Sequence, residues 1–206
     1  SLVGETNATF REFQIGGEDV SGWSIEKRRR RFSFVSQDGF VMSASLRQNI
    51  LFSYSDDLSK DEKVLDSLKS AQFRINGEHL SDGLDTVIGE RGVNLSGGQK
   101  QRVALARAHY LGRPIILMDD CLSAVDVDTE RKIIDELIDG EWKGQTRILV
   151  THRLSILEKV DRVLFIEQGR ITEQGRFNEI LDKSQRVREF AASQRRVSAT
   201  SDANLP

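Results

Sequence analysis

A hydroxyl residue followed by two glycines opens a helical pattern near the middle of the chain. Ser96, Gly97 and Gly98 precede an apolar-periodic run that extends to Ala108, so Ser96 is predicted to be an N-cap. The free N–H groups and the helix dipole at such an end favour an anion, and glycine lets a phosphate approach the backbone. Ser-Gly-Gly triplets also occur in flexible loops, so this stretch alone leaves both interpretations open.

Two adjacent carboxylates come after a short apolar run further along the chain. Residues 115–118 are apolar, follow Pro114 and lead into Asp119 and Asp120. Such a run is typical of a parallel-sheet strand that is buried on both faces, and ligands bind at the carboxyl ends of such strands. The alternative is an ordinary strand that ends in solvated acidic residues.

Two more polar side chains stand at the ends of predicted strands. Phe32 and Phe34 alternate with serines and lead to Gln37, and the apolar residues 147–150 lead to Thr151 and His152. Each residue has a plain alternative, because a single loop amide or a single histidine at a strand end is usually structural.

Taken together, these segments resemble one family in their order and spacing: the nucleotide-binding domain of ATP-binding-cassette (ABC) transporters. The resemblance covers about residues 1–185 and rests on residues 95–99, 119–120, 123–126 and 151–153. It implies an α/β fold of the P-loop NTPase type, with a mostly parallel sheet flanked by helices and a helical subdomain at about residues 45–110. Residues 186–206 are polar and basic, which predicts a disordered linker or tail.

The resemblance also implies a role for each site residue. ATP and Mg²⁺ would bind, and a second nucleotide-binding domain would complete each ATP site in a sandwich. The implied roles are magnesium binding for Asp119 and Gln37, the catalytic base position for Asp120, γ-phosphate contact for His152, contact with the partner's ATP for Ser96, Gly97, Gly98 and Gln99, and the dimer seam for Asp126. Gln37 would also couple the site to the membrane domain.

The sequence departs from the family pattern in two ways. It contains no G-x-x-x-x-G-K-[ST], and Ser1 to Glu5 resemble the residues directly after that phosphate-binding loop, so the loop (Walker A) and the N-terminal β-subdomain are expected to be missing. The chain alone is therefore expected to fold poorly and to be inactive. Asp120 stands where the family usually has glutamate, which resembles the degenerate first cassette of the multidrug-resistance-associated (C) subfamily.

Composition narrows the classes of partner. The 206 residues suffice for one globular domain, and 30 basic residues nearly balance 32 acidic ones, so no overall charge selects nucleic acid. The single Cys121 excludes an internal disulfide framework. No apolar run is long enough for a membrane helix, so the transmembrane domains implied by the resemblance would belong to a longer parent protein that holds this cassette at the cytoplasmic face of a membrane.

Local patterns predict several elements between the motifs. Gly16 and Gly17 predict a turn, a helix is expected from Ser45 to Phe52, and Ser59 with Glu62 predicts a capping box for the next helix. Further predictions are a helix over residues 126–137 that ends at Gly140, a hairpin that turns near Gly169, and a closing helix at residues 177–181. The four arginines at 28–31 are predicted to be a solvated face, and the alternative is a phosphate or lipid site.

Three functions remain open from the sequence alone. The favoured one is an ATP-hydrolysing cassette that powers a membrane exporter. The second is a regulatory ATP-binding module that gates a channel or receptor and hydrolyses little. The third is a soluble ABC ATPase of DNA repair or translation, which would be expected to contain long coiled coil, and this sequence has no heptads.

Overall fold

The computed structural model describes Val3 and residues 9–76, 80–90 and 92–202, and the side chains of residues up to 196. The chain divides into two compact units, Ser1–Val150 and Thr151–Pro206. Each unit is described by itself.

The strands are short, and the helices of the first unit gather around one parallel sheet. The strands are β1 (Gln14–Ile15), β2 (Glu18–Asp19), β3 (Phe32–Val35), β4 (Ala44–Ser45), β5 (Val87–Ile88), β6 (Ile115–Asp119), β7 (Thr146–Val150), β8 (Val163–Glu167) and β9 (Arg170–Gly175). The helices are α1 (Ile25–Arg29), α2 (Leu46–Leu51), α3 (Asp61–Ser70), α4 (Gly97–Leu111), α5 (Val127–Lys132), α6 (Leu154–Leu157), α7 (Phe177–Lys183) and α8 (Gln185–Asp202). A π-helix, Ile133–Glu141, continues α5.

The central sheet has the strand order β3-β6-β7, and both strand pairings are parallel. Phe34 pairs with Leu117, and Leu117 pairs with Ile148, so the three side chains share one face. The α/β fold with a parallel sheet flanked by helices is confirmed. Because the strands run in the same direction, the loops after them leave from one edge.

The strand before Asp119 was predicted to be buried on both faces, but the sheet is more deeply buried on one face than on the other. Ile116 and Met118 of β6 are fully buried, whereas Phe34 is 53% exposed and Val150 is 62% exposed on the opposite face. Helix α4 contacts β3 and covers one face of the sheet. The described part of the chain leaves the other face open to solvent.

Three helices pack together in the region predicted to be the helical subdomain. Helix α4 contacts both α2 and α3, and Leu46, Leu68 and Leu105 are fully buried among them. Ser45 caps α2 with a capping box. The limits predicted for the subdomain, residues 45 and 110, stay predictions.

The start of α3 differs from its prediction. Ser59 caps no helix, because its hydroxyl donates to Asp57 at 2.5 Å and Asp57 instead caps a single 3₁₀ turn, Leu58–Lys60. Helix α3 then begins at Asp61 without a side-chain cap. The inserted turn moves Ser59 away from the N-cap position.

Other local predictions agree with the structure more closely. Gly16 and Gly17 have φ values of 60° and 83° and turn the chain between β1 and β2. Gly169 lies in the turn between β8 and β9, as predicted. The helix predicted to end at Gly140 passes through that residue, since the π-helix extends to Glu141.

The second unit corrects the prediction of a disordered tail from residue 186. Gln185–Asp202 is a helix, and residues 203–206 lie outside the described part of the chain. Val187 and Ala191 are buried in a cluster with Phe177 and Ile180, and Phe190 packs edge-on against Phe165 at 5.5 Å. The apolar residues form one stripe along the helix, and their burial stabilises it. The many polar and basic residues of this segment hide that stripe when only its composition is considered.

Within the described residues, no helix combines the length and the apolar character that spanning a membrane requires.

Candidate functional site

Ser96 caps α4, as the sequence predicts. The amide of Gln99 donates to the Ser96 hydroxyl at 3.2 Å, and the Ser96 amide donates to the Gln99 side-chain oxygen at 2.8 Å. These two bonds form a capping box, which satisfies donors that a helix start leaves unpaired. Gln99 therefore has a structural task that the sequence reasoning missed, although its identity and its position three residues after Ser96 match the capping-box signature.

The two glycines of α4 differ in their surroundings. Gly97 is exposed, whereas Gly98 is buried. A Cβ on Gly98 would stand 2.6 Å from the carbonyl oxygen of Ala124, and one on Gly97 would stand 3.2 Å from the Ala124 Cβ. The sequence predicts that both glycines allow a phosphate to approach the backbone. Gly98 is required for a second reason, because α4 packs directly against the loop after β6.

Gln101 connects α4 to two loops of the sheet, and the sequence reasoning gave it no role. Its Nε2 donates to the Gln37 carbonyl at 2.9 Å and to the Ser123 hydroxyl at 3.1 Å, while its Oε1 accepts from the Ala124 amide at 3.0 Å. The residue is 2% exposed. Gln101 lies four residues before Leu105, so the sequence places it on the same inward-facing side of the helix. A buried side-chain amide must find hydrogen-bond partners, and this position is the signal that could have identified it.

The loop after β3 is held close to the same helix. Gly39 has a φ of 60°, and a Cβ there would lie 2.6 Å from the carbonyl carbon of Lys100. The Gln37 side chain is exposed, and its backbone carbonyl accepts the bond from Gln101. The structure therefore places Gln37 beside the start of α4, with its amide directed to solvent rather than buried in the core.

Asp119 and Asp120 stand at the carboxyl end of β6, half-buried. Asp119 pairs with Val150 across the sheet, and the Asp120 amide donates to the Val150 carbonyl at 2.8 Å. Asp120 has a φ of 41°, a left-handed conformation that aspartate tolerates better than most residues. The turn is held further by the Ser123 amide, which donates to the Asp120 carbonyl at 3.2 Å.

Asp126 is the N-cap of α5. Its carboxylate accepts from the Thr129 amide at 2.9 Å, and this backbone bond, with a second from the Thr129 hydroxyl, lowers the pKa of Asp126. The positive charge of Arg102 acts in the same direction. The residue is thus a charged cap at neutral pH, while its predicted place at a dimer seam stays a prediction.

The donor set at this edge suits magnesium better than a transition metal. The described residues contain no group of three His, Cys, Asp or Glu side chains that could enclose a metal ion. Magnesium is usually held by one or two carboxylates together with phosphate oxygens and water. Asp119, with the exposed amide oxygen of Gln37, offers ligands of that kind.

His152 belongs to the second unit. It is exposed and lies between Thr151 and Arg153, where the Arg153 amide donates to the Thr151 hydroxyl at 3.1 Å just before α6. Its contact with a γ-phosphate therefore stays a prediction.

In the first unit, the fold unites groups that are far apart in sequence. The Gln37 loop, the Asp119–Asp120 turn, the Ser123–Ala124 loop and the capped start of α4 meet at the carboxyl edge of the sheet. An edge with carboxylates, exposed amides and a helix start can hold a cation together with a phosphate chain.

Known proteins are similar to this chain in sequence. The family model described as "ABC transporter" matches residues 1–123. A "Multidrug resistance ABC transporter ATP-binding and permease protein" of Lactococcus lactis subsp. cremoris is 36% identical over 173 residues, which are 84% of this chain and 29% of that protein. An "ATP-dependent lipid A-core flippase 1" of Colwellia psychrerythraea is 37% identical over 86% of this chain and 29% of that protein.

Structural comparison agrees with the sequence matches. The chain superposes on a bacterial Atm1-family ABC exporter solved with ATP bound, with a TM-score of 0.83 and 32% identity over 94% of this chain and 33% of the exporter chain. The chain thus spans about a third or less of the relatives it matches. From the matched family model, the identities and the shared fold, the chain belongs to the ABC transporter family, as a nucleotide-binding domain homologous to those of ABC exporters.

Proposed function

We propose that this chain is the ATP-binding and ATP-hydrolysing cassette of a longer membrane exporter. The observation that carries the proposal is the convergence of the Gln37 loop, Asp119, Asp120 and the α4 start at one sheet edge, held by the buried side chain of Gln101. Its relatives are named as a multidrug resistance ABC transporter and a lipid A-core flippase, and the superposed structure is named as an ABC exporter. In this function the cassette is a hydrolase of ATP, and the energy drives transmembrane transport.

Asp119, Asp120 and Gln37 of the first unit and His152 of the second unit each have a distinct task in this proposal, which the resemblance to the family implies. Asp119, assisted by Gln37, holds Mg²⁺, which when bound neutralises charge on the phosphates. Asp120 orients the attacking water, and His152 contacts the γ-phosphate. A phosphate-binding loop from elsewhere in the parent protein supplies the lysine and backbone amides that this sequence lacks.

We assign the α4 start to the ATP of a second nucleotide-binding domain. Ser96 and Gly97 are exposed, so their polar groups face outward, whereas Gly98 packs inward on Ala124. An outward helix start with an exposed hydroxyl suits an anion carried by another molecule. Gln99 supports the site through the capping box, and Asp126 lies near the seam between the two domains.

We assign a cleft in the first unit to the transmembrane domains of the same transporter. A cavity of about 680 Å³ is lined by residues of the 38–43 loop and of the 89–94 loop, with Tyr54 and Lys100. Two aromatic residues of this lining, Phe40 and Tyr54, are exposed by 58% and 75%. Exposed aromatics around a cavity are typical of a protein contact, which would hold the cassette at the cytoplasmic face of the membrane.

The identity of residue 120 supports a finer assignment to the C subfamily. Aspartate is one methylene shorter than the glutamate usual at this position, a loss of roughly 1.5 Å of reach. A shortfall of that size can slow a reaction by about 100-fold when positioning dominates. We therefore propose that this site hydrolyses slowly, as in a first cassette of the multidrug-resistance-associated type.

Substitution at Ser96 tests the proposal in the full-length protein. Ser96→Arg should block ATP-driven closure of the two cassettes, measured by spin-label distances, while ATP binding at the same domain's own phosphate loop is retained. Ser21→Arg, at an exposed serine outside the site, is the matched control. Unchanged closure, or loss of ATP binding in proportion to closure, would exclude the proposed placement of Ser96.

A further inference from the structure

Arg107 is a buried cation that has no task in the proposed ATP site. It lies in α4, and only 9% of its surface is exposed. Within the described ranges of the chain, no carboxylate lies within ion-pair distance of its guanidinium. Burial lowers the pKa of Arg107 to about 10, so the group still carries its charge at neutral pH. A buried charge is costly unless other groups replace the water that it loses.

Backbone carbonyls and aromatic rings take the place of that water. The Arg107 Nε donates to the Asn49 carbonyl at 2.8 Å, and its Nη2 donates to the Phe40 carbonyl at 3.0 Å. The Arg107 Cζ lies 4.7 Å from the centre of the Phe52 ring and 5.9 Å from that of Phe40. Such rings attract a cation without neutralising it. The guanidinium therefore joins α4 to the end of α2 and to the loop after β3.

Asn49 extends this contact along the loop. Its side chain is fully buried, with Oδ1 accepting from the Met42 amide at 2.7 Å and Nδ2 donating to the Met42 carbonyl at 3.0 Å. Phe40 and Met42 both line the cavity that we assign to the transmembrane domains. Residues 38–43 form one wall of that cavity, the cleft wall. Arg107 and Asn49 thus hold the cleft wall at two points.

Helix α4 also holds the chain where it enters the cleft wall. The Gln37 carbonyl accepts from Gln101 at 2.9 Å, and a Cβ on Gly39 would stand 2.6 Å from the carbonyl carbon of Lys100. Gln101 and Arg107 are separated by about 9 Å along the helix axis. A segment that one helix holds at two separated points cannot shift without moving the helix. The same helix begins at Ser96, so a displacement of the cleft wall reaches that end.

We infer that Arg107 is a positioning residue that makes the cleft wall and α4 move as one body, so that contact with the transmembrane domains is transmitted to the Ser96 end of the helix. The inference rests on the proposed function, because it takes the cleft to be that contact. Arg107 acts through the Phe40 and Asn49 carbonyls, and it touches no residue that holds nucleotide or metal in the proposed site. Its loss should separate closure of the cassettes from movement of the transmembrane domains.

Two spin-label distances in the full-length protein test this inference. One pair of labels spans the two cassettes and the other spans the transmembrane domains, and both distances are measured with and without Mg-ATP. In the unsubstituted protein both should change when ATP is added. Arg107→Met keeps an aliphatic stem but removes the charge and both hydrogen bonds. Its cassettes should still close, while the fraction of molecules that switch the transmembrane distance falls by about tenfold, the order expected when a hydrogen bond to a charged group is lost.

Arg147→Met is the matched control. Arg147 is also largely buried, with 19% of its side chain exposed, and it donates to the Ile138 carbonyl and to Asp139, which are not part of the cleft wall. This variant should lose stability but keep the two distances coupled. Hydrogen exchange in the same full-length proteins gives a second measurement. Residues 38–45 should exchange about tenfold faster in Arg107→Met than in Arg147→Met.

Arg107→Lys tests the geometry of the contact separately from its charge. Lysine keeps the positive charge but presents one compact ammonium in place of a planar fork, so it cannot reproduce both carbonyl contacts. It should therefore restore only part of the coupling and leave exchange of the cleft wall faster than in the unsubstituted protein.

Three outcomes would overturn the inference. One is a transmembrane distance that still follows closure in Arg107→Met. Another is an equal loss of coupling in Arg147→Met, which would make the effect one of general destabilisation. The third, which applies even where Arg107→Met does not fold, is an Arg107→Lys protein with unchanged coupling and unchanged exchange of the cleft wall. Failure of the cassettes to close in the unsubstituted protein would instead contradict the proposed function on which the inference rests.

Discussion

The imidazole Nε2 of His109 lies 2.5 Å from the Oε2 of Glu141, joining the end of α4 to the end of the π-helix. The other ring nitrogen, Nδ1, lies 3.0 Å from the hydroxyl of Ser67 in α3. Ser67 donates its own proton to the Lys63 carbonyl at 2.8 Å, so both ring nitrogens face acceptors. These contacts tie α3, α4 and the π-helix together at one point.

We expect His109→Ala to lower the free energy of unfolding by about 0.5–1.5 kcal/mol, because Glu141 keeps only its bond from Ser70 and the Ser67 hydroxyl loses its contact with the ring. Urea denaturation gives the value, and a double-mutant cycle with Glu141→Ala should show coupling of at least about 0.5 kcal/mol. His152→Ala, at an exposed histidine, is the control. Additive effects of the two substitutions would show that the pair contributes no coupling.

Gly98→Ala should destabilise the domain although alanine favours helices by about 1 kcal/mol over glycine. The new Cβ would meet the Ala124 carbonyl oxygen at 2.6 Å, and such overpacking against backbone typically costs about 1–3 kcal/mol. Gly97→Ala, which meets only the Ala124 Cβ at 3.2 Å, should be close to neutral. A Gly98→Ala protein as stable in urea as the parent would mean that α4 does not pack against this loop.

Gln101→Leu should impair both stability and ATP turnover. It removes three hydrogen bonds, to the Gln37 carbonyl, the Ser123 hydroxyl and the Ala124 amide, each worth about 0.5–1.5 kcal/mol of net stability. Gln101→Glu keeps the acceptor for the Ala124 amide, so it should lose less stability and less ATP turnover than Gln101→Leu. Urea denaturation and phosphate release by the full-length protein are the two measurements, and equal behaviour of the two variants would argue against the hydrogen bonds as the cause.

Cys121 should react slowly in the folded domain. Burial raises the pKa of its thiol from 9.0 to about 12, and the neighbouring charges of Asp120 and Asp119 act in the same direction. The thiolate fraction at pH 8 is then about a thousandfold lower than in the unfolded chain, where the thiol is exposed. Because a raised pKa favours the protonated thiol in the folded state, the associated stability is present below pH 9 and is lost as the pH rises towards 12.

Reaction with a thiol reagent at pH 8, with and without urea, measures this difference. A folded domain that reacts as fast as the unfolded chain would contradict the buried position of Cys121. Substitution by alanine should narrow the stability difference between pH 9 and 12, since alanine has no proton to lose.

Asp120→Glu tests the proposed slow hydrolysis at this site. If aspartate is too short to orient water, glutamate should raise single-turnover hydrolysis in the full-length protein by about tenfold or more, or about 1.4 kcal/mol of barrier. The left-handed backbone at residue 120 works against this gain, because that conformation disfavours longer side chains. Phosphate release is measured with the partner site disabled; no gain, or a slower reaction, would mean that Asp120 already works as the base.

The sequence by itself determined the local features of this protein. Helix starts at Ser96 and Asp126 and the turn at Gly169 arise from capping and backbone preferences that act over a few residues. The apolar run before Asp119 likewise predicted a strand with carboxylates at its end. Motif order and spacing were enough to indicate the family, because the family's site residues lie in short segments around those local features.

Only the tertiary structure decided how the segments meet. That Gly98 packs on Ala124, and that Gln101 bridges two loops, depends on residues more than twenty positions apart, which no local periodicity encodes. The same holds for the one-sided burial of the sheet and for the order of α8, where Val187 and Ala191 reach an apolar cluster formed by other elements. Burial and packing are properties of the assembled chain, so composition alone predicted a disordered tail where contacts with distant residues produce a helix.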